Sequence, residues 1–218
     1  MQRRFYTNEL QHFLCLVDAE LSKSCTLVLI GGAAVSLGYC PDHAIAEIEL
    51  WSSSDSVIWT AAERASEKIP RPIRLRQALV GQPRLSFEDR LWPVRIDGLR
   101  FLTLLVPEAH DQVLLSAVRA DPSVPVVDLH RNHPLSPGTL LERYNEMKGQ
   151  VSVPRARFKA SFLGVVAKLF GKAKADELEN APEGVSEGVD RATCRLPCSQ
   201  ARPSGSDPVI PIPTPGRR

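Results

Sequence analysis

Glu47 and Glu49 stand two residues apart in Ala46-Glu47-Ile48-Glu49-Leu50-Trp51, and the pair Gly31-Gly32 lies about fifteen residues before them. Residues two apart on a strand share a face. The two carboxylates would therefore converge while Ile48 packs behind them. Oxygen ligands gathered on one face suit magnesium, which also takes water and substrate phosphates. A Gly-Gly turn lets backbone come close to a phosphate, and the free amides at a helix start favour an anion. Acids and turn together are the layout of metal-assisted phosphoryl or nucleotidyl transfer. The same residues carry a plainer reading. Glu47 and Glu49 are then the solvent face of a half-exposed strand, and Gly31-Gly32 is only a tight turn.

Other residues invite chemistry less strongly. His110 and Asp111 at a helix start suggest acid–base work, although Asp111 in a first turn is also good helix electrostatics. Glu88, Asp89 and Arg90 read as a local ion pair or loop anchor, or as support for a catalytic centre. Arg71, Arg74 and Arg76 are either a solvated loop or an attractor for a triphosphate or RNA. Trp51 and Trp59 read as packing residues rather than stacking platforms. Cys15, Cys25 and Cys40 lie in apolar surroundings and read as small core residues. Cys194 and Cys198 form a lone C-x-x-x-C without the further ligands that zinc needs.

The elements that must position the acids and the turn follow from periodicity. Leu10, Phe13, Leu14, Val17 and Leu21 predict a helix over 8–22, with Thr7 as its cap. The apolar run Thr26 to Ile30 predicts a buried strand that ends at the glycine pair, and Ala33 to Leu37 a short helix leaving it. Ala46 to Trp51 alternates and predicts a second strand. Ser54 then caps a helix that runs to about Lys68. Residues 69–93 read as loops with one short helix near 76–80. Leu91–Ile96 and Leu99–Val106 predict two strands joined at Asp97-Gly98, a strong hairpin signal. Pro107 opens a helix to about Arg119, and helices follow near 124–131, 137–147 and 155–170. From Asp176 onward Pro, Gly and Ser become frequent and large apolar residues sparse, which predicts a disordered tail. The divisions are 1–106, 107–175 and 176–218.

The 218 residues carry a formal net charge of +2, with 24% charged and 43% hydrophobic residues. That balance excludes strong non-specific polyanion binding by the whole molecule. No apolar run is long enough to span a bilayer, and none near Met1 reads as a signal peptide, so the expectation is a cytoplasmic protein.

Leu29-Ile30-Gly31-Gly32-Ala33-Ala34 followed by Glu47-Ile48-Glu49-Leu50-Trp51 resembles the glycine pair and Asp-x-Asp signature of bacterial nucleotidyltransferase-like proteins. These belong to the polymerase-beta superfamily, and the nearest branch is one related to AbiEii-type toxins and minimal nucleotidyltransferase antitoxins. Phe87-Glu88-Asp89-Arg90-Leu91, Leu104 to Asp111, and His133-Pro134-Leu135-Ser136 through Arg143-Tyr144 continue the resemblance, which covers Leu10 to Gly171. It implies an α+β fold, a mixed sheet flanked by helices with a helical C-terminal portion. It also implies magnesium held by Glu47 and Glu49, nucleoside triphosphate phosphates on Gly31 and Gly32, and transfer of a nucleotide to a protein or RNA acceptor. The chain departs from the family pattern in known ways. Where the family has Arg-x-Thr-x-Asp-x-Asp, this sequence has His43, Ile45, Glu47 and Glu49. Ser116 stands where a lysine is common, and the strand at 99–106 offers no third carboxylate. The departures imply the alternative, a catalytically silent relative acting as a partner in a toxin–antitoxin or phage-defence pair.

Overall fold

A computed structural model of the chain describes residues 4–78, 85–119 and 124–180. The chain divides into two units, Met1–Val185 and Ser186–Arg218, and every described residue lies in the first. The element order is α1 (Thr7–Ala19), β1 (Cys25–Ile30), α2 (Gly31–Gly38), β2 (Ile48–Ser53), α3 (Val57–Glu67), β3 (Leu75–Gln77), a 3₁₀ turn (Ser86–Arg90), β4 (Leu91–Val94), β5 (Leu102–Pro107), α4 (Ala109–Arg119), α5 (Val126–Asn132), α6 (Pro137–Met147), α7 (Arg155–Phe170) and α8 (Lys172–Asn180). The strands form one mixed sheet, flanked by helices, in the order β3-β2-β1-β5-β4.

β1 is central because its side chains allow nothing else. Leu27, Val28, Leu29 and Ile30 are all buried, as expected of a strand with neighbours on both edges and cover on both faces. It runs antiparallel to β2 and parallel to β5. The β1–β2 register slips between Val28 and Leu29, so that Leu29 faces Leu50 while Val28 faces Ser52. Trp51 is the extra residue of this bulge. The bulge lets consecutive residues Leu50 and Trp51 both be buried, and the indole meets the Phe87 ring edge-on at 5.1 Å.

The predicted hairpin is present with shorter arms. β4 pairs antiparallel with β5 from Leu91–Pro107 to Val94–Leu104, and Gly98 takes φ 92° in the connection. Its far end is fixed from α1. The Asp18 carboxylate, 2% exposed as a residue, accepts the backbone N–H groups of Arg100 (3.0 Å), Phe101 (2.7 Å) and Leu102 (2.7 Å). A buried carboxylate needs such partners, and here they satisfy the start of β5.

The C-terminal helices form a second layer of packing around α7, which matches its predicted span of 155–170. Phe158, Phe162 and Val166 are its buried stripe. Tyr144 of α6 stacks on Phe162 with ring centroids 4.4 Å apart. Pro137 opens α6, whose cap is Ser136, the hydroxyl accepting from Thr139 N–H at 3.4 Å.

Several expectations move. Thr7 lies inside α1 rather than capping it. Tyr6 holds the cap position, and Glu9 accepts the Tyr6 N–H at 3.0 Å. The Thr7 hydroxyl instead donates to the Pro41 carbonyl and meets Ser36 Oγ at 2.7 Å, a tertiary use that outcompetes the local one. Ser54 is not the cap of α3. Its Oγ accepts the Thr26 N–H at 2.8 Å, and Asp55 accepts from Val57 N–H at 3.0 Å in its place. Where a short helix was predicted over 76–80, residues 75–77 form edge strand β3, and 79–80 lie outside the described residues. Pro107 ends β5, and α4 begins at Ala109. Residues 176–180 of the predicted tail are instead helical, because α8 continues to Asn180 with Ala175 buried; residues 181–218, Cys194 and Cys198 among them, lie outside the described residues.

Candidate functional site

The candidate site forms where β1 turns into α2. Gly31 takes φ 63°, a left-handed conformation that glycine adopts without a Cβ penalty. The antiparallel register sets Glu49 opposite Ile30, the residue before the turn. Turn and acidic strand are therefore neighbours, as the sequence spacing predicted.

The turn is covered. Gly31 and Gly32 are both buried. A Cβ on Gly32 would stand 2.9 Å from Ile45 Cγ2 and 3.7 Å from His43 Nε2, so the Ile45 side chain lies directly against the glycine. Ile45 is pinned there by a two-way backbone bridge with Phe5. On the other side the fully buried Gln112 donates from Nε2 to the Gly31 carbonyl at 3.0 Å. Its Oε1 finds no partner among the described residues.

Each acid has its own guanidinium. Glu47 lies just before β2, and its two oxygens accept from Arg76 Nη1 at 2.9 and 3.2 Å. Glu49, on β2, accepts from both terminal nitrogens of Arg119, the last residue of α4, with one contact at 2.8 Å. The Glu49 and Arg119 side chains are only 16% and 21% exposed, while Arg76 is 65% exposed. The fork-on-fork pairing of Glu49 with Arg119 is the strong form of the interaction, whereas Glu47 is met by the single Nη1 of an exposed Arg76. Both carboxylates are thus charge-compensated within the protein, and a cation arriving at either would have to displace a guanidinium. Among the described residues, no three His, Cys, Asp or Glu side chains gather into a group that would hold a metal ion.

A second polar network links the 3₁₀ turn to α4 and α6. Asp111, 0% exposed, accepts two bonds from Arg90, from Nε at 2.8 Å and Nη2 at 2.9 Å. Arg90 also lies 3.1 Å from Glu146, which pairs with Arg143 at 3.0 Å. The sequence allowed an ion-pair reading of Arg90 and a helix-electrostatic reading of Asp111; the two residues are one pair. Because Asp111 is fully enclosed, the pair fastens the 3₁₀ turn to α4. The Asp111 and Arg90 bond holds the Arg90 pKa above its ordinary value, against the opposing effect of burial.

His110 belongs to the same region. Its Nε2 accepts the Ser136 N–H at 2.9 Å, so the ring proton sits on Nδ1 and is donated to Glu108 at 2.8 Å. Burial by itself raises the Glu108 pKa. The hydrogen bonds from the His110 ring and N–H, with the positive charge of Arg143, outweigh it and hold the carboxyl below its ordinary value. His130 repeats the device one residue earlier, accepting the Leu135 N–H on Nδ1 at 3.0 Å. Two imidazoles thus receive two successive amides of the loop between α5 and α6. Nearby the Tyr39 hydroxyl donates to the Pro107 carbonyl; burial, then Glu108 and Asp111, push its pKa up. Nothing in the sequence signalled these loop bonds, since acceptors and amides are distant or at unremarkable spacing.

The remaining candidates have structural employment. Arg71 pairs with Glu9 and lies over the Phe5 ring at 5.3 Å. With Arg76 on Glu47, two of the three clustered arginines are engaged. Ser116 is buried and donates to the Val113 carbonyl at 2.8 Å. Glu88 accepts the Leu85 N–H at 2.9 Å at the start of the 3₁₀ turn. Cys15, Cys25 and Cys40 are free thiols, the last two buried. No helix among the described residues is long and apolar enough to cross a membrane. No family model matches the chain, and neither a characterised protein nor a solved structure matches it.

Proposed function

We propose that this chain is a nucleotidyltransferase-type scaffold that has given up metal-dependent transfer and works through its surface, as one partner of a toxin–antitoxin or phage-defence pair. The observation that carries this reading is the bidentate hold of Arg119 on Glu49, beside a glycine turn covered by Ile45. Magnesium demands near-ideal oxygen geometry and dehydrates reluctantly. Two carboxylates already neutralised by guanidinium groups are a poor donor set for it. A triphosphate needs bare backbone amides, and this turn has Ile45 against it. The support for the scaffold itself is the order helix, strand, Gly-Gly, helix, acidic strand, with that strand antiparallel to the first.

A second reading keeps one specific observation in its favour. The register sets Glu49 opposite Ile30 beside a glycine at positive φ, which is the neighbourhood a transferase needs. In that reading Glu47 and Glu49 hold Mg2+, Gly31 and Gly32 meet the phosphates of a nucleoside triphosphate, and a nucleotide moves to a protein or RNA hydroxyl. One experiment separates the two. The purified chain is incubated with each labelled nucleoside triphosphate in magnesium and in manganese, and binding and covalent transfer are followed. We expect neither. Transfer that disappears in Glu49→Gln would overturn the proposal in favour of the second reading.

A further inference from the structure

β3 is an edge strand, and a groove of about 520 Å³ runs between it and α3. We propose that this groove takes an extended segment of a partner protein, which adds to β3 as a sixth strand and presents a lysine or arginine to α3.

The backbone argues for a strand as the occupant. In the β2–β3 ladder, Ile48 N–H donates to the Arg74 carbonyl at 2.9 Å and Ala78 N–H to the Leu50 carbonyl at 2.8 Å. Residues facing a neighbour alternate along a strand. Arg74, Arg76 and Ala78 therefore spend their main-chain groups on β2, and Leu75 and Gln77 turn theirs outward. Among the described residues nothing bonds to those outward groups. A row of open amides and carbonyls is a template for another strand. The Ser66 hydroxyl of α3, donating to the Ile73 carbonyl at 2.7 Å, ties the two walls of the groove together.

The side chains argue for a basic protein segment. Trp59 and Ala62 from α3, with Ile73 and Leu75 from the strand side, make an apolar floor. Glu63 and Glu67, one helical turn apart, stand exposed on the α3 rim. Neither has an ion-pair partner among the described residues. The neighbouring cations of α3, Arg64 and Lys68, are committed to Glu20 on the other side. Two uncompensated carboxylates repel a phosphate backbone, which argues against RNA, and attract an ammonium or guanidinium group. Arg74 lies across the groove, so the acidic character belongs to the α3 wall and fixes which face of the incoming strand carries the cation.

This inference rests on the reading of the chain as a surface-acting partner, yet it fails separately. Nucleotide transfer would remove that reading and leave the groove untouched, whereas failure of the test below leaves that reading standing. The probes are two labelled decapeptides of alternating threonine and valine, one with a central lysine and one with a central glutamate. Binding to the full chain is followed by fluorescence anisotropy. The lysine peptide should bind the wild-type chain about tenfold more tightly than the glutamate peptide. The order should reverse in Glu63→Lys/Glu67→Lys. N-methylation of alternate amides should abolish binding to the wild-type chain, which needs no variant to fold. Equal binding of the two peptides, no binding of the lysine peptide, or unchanged binding after N-methylation would each overturn the proposal. So would preferred binding of a uridine oligonucleotide at the same residues, or a second copy of the chain seated there by sedimentation.

Discussion

If Arg119 holds Glu49 in solution, the two residues must be energetically coupled, and the coupling can be measured without knowing any activity. Unit charges about 4 Å apart at an effective dielectric near 20 interact by about 4 kcal/mol. With the side chains 16% and 21% exposed, solvent reduces this, and a coupling of about 2–3 kcal/mol is expected. Arg119→Met leaves a half-buried carboxylate uncompensated and should cost about 3 kcal/mol. At a urea slope of about 2 kcal/mol per molar, the unfolding midpoint falls by roughly 1.5 M. Glu49→Gln/Arg119→Met should recover much of that loss. A double-mutant cycle by urea unfolding isolates the pair from the other contacts of Arg119. Each variant is also measured in millimolar magnesium, which should not move the wild-type midpoint. A coupling below about 0.5 kcal/mol, the value of an ordinary exposed pair, would refute the reasoning. It would mean that Glu49 is available to a cation.

Three further outcomes follow from the geometry. Asp18→Ala, by orphaning three amides at the start of β5, should cost about 3–5 kcal/mol, while Asp18→Asn, which keeps an acceptor but loses the charge, should cost less; chemical denaturation of both orders them. Gly32→Ala should destabilise by about 1–3 kcal/mol through overpacking against Ile45, and Ile45→Ala in the same chain should relieve part of that cost, so the double variant melts above the sum of the singles. Glu108 has a depressed folded pKa, so it adds stability above its unfolded value, near 4.5, which is lost as pH falls through the lower folded value. Glu108→Gln should therefore flatten the decline of stability below about pH 4.5 in a pH series of thermal melts; an unchanged acid limb would show that the carboxylate is not held by His110.

How much of this was legible from sequence depends on the range of the forces involved. α7 was readable to the residue, because Phe158, Phe162 and Val166 repeat at helical spacing and burial follows that period. β1, the glycine turn and the adjacency of Glu49 followed from an apolar run and a two-residue period. β3 was not readable: Leu75-Arg76-Gln77 is too short and too polar for a pattern, and it is a strand only because β2 offers it a ladder. The Thr7 and Ser54 caps failed for the same reason in reverse, since distant acceptors and donors claimed both hydroxyls. The decisive feature of the candidate site was also out of reach. Arg119 lies seventy residues from Glu49, and no spacing rule connects a helix C-terminus to a strand that far away. Sequence spacing set Glu49 beside the turn; tertiary packing decided which cations hold Glu47 and Glu49.

The place of β1 in the sheet bears on how the chain is made. Its antiparallel neighbour β2 follows within a few dozen residues, but its parallel neighbour β5 is synthesised only after the segment from β2 to β4. During that interval a growing chain shows one bare, greasy margin, Cys25-Thr26-Leu27-Val28-Leu29-Ile30, and Asp18 waits without the three amides it will later receive. The β4–β5 hairpin can form by itself and dock as a unit, closing the margin and neutralising the wait in one event. Synthesis that stalls before residue 107 would leave that margin without its parallel neighbour, and slower translation between β2 and β5 would lengthen its exposure.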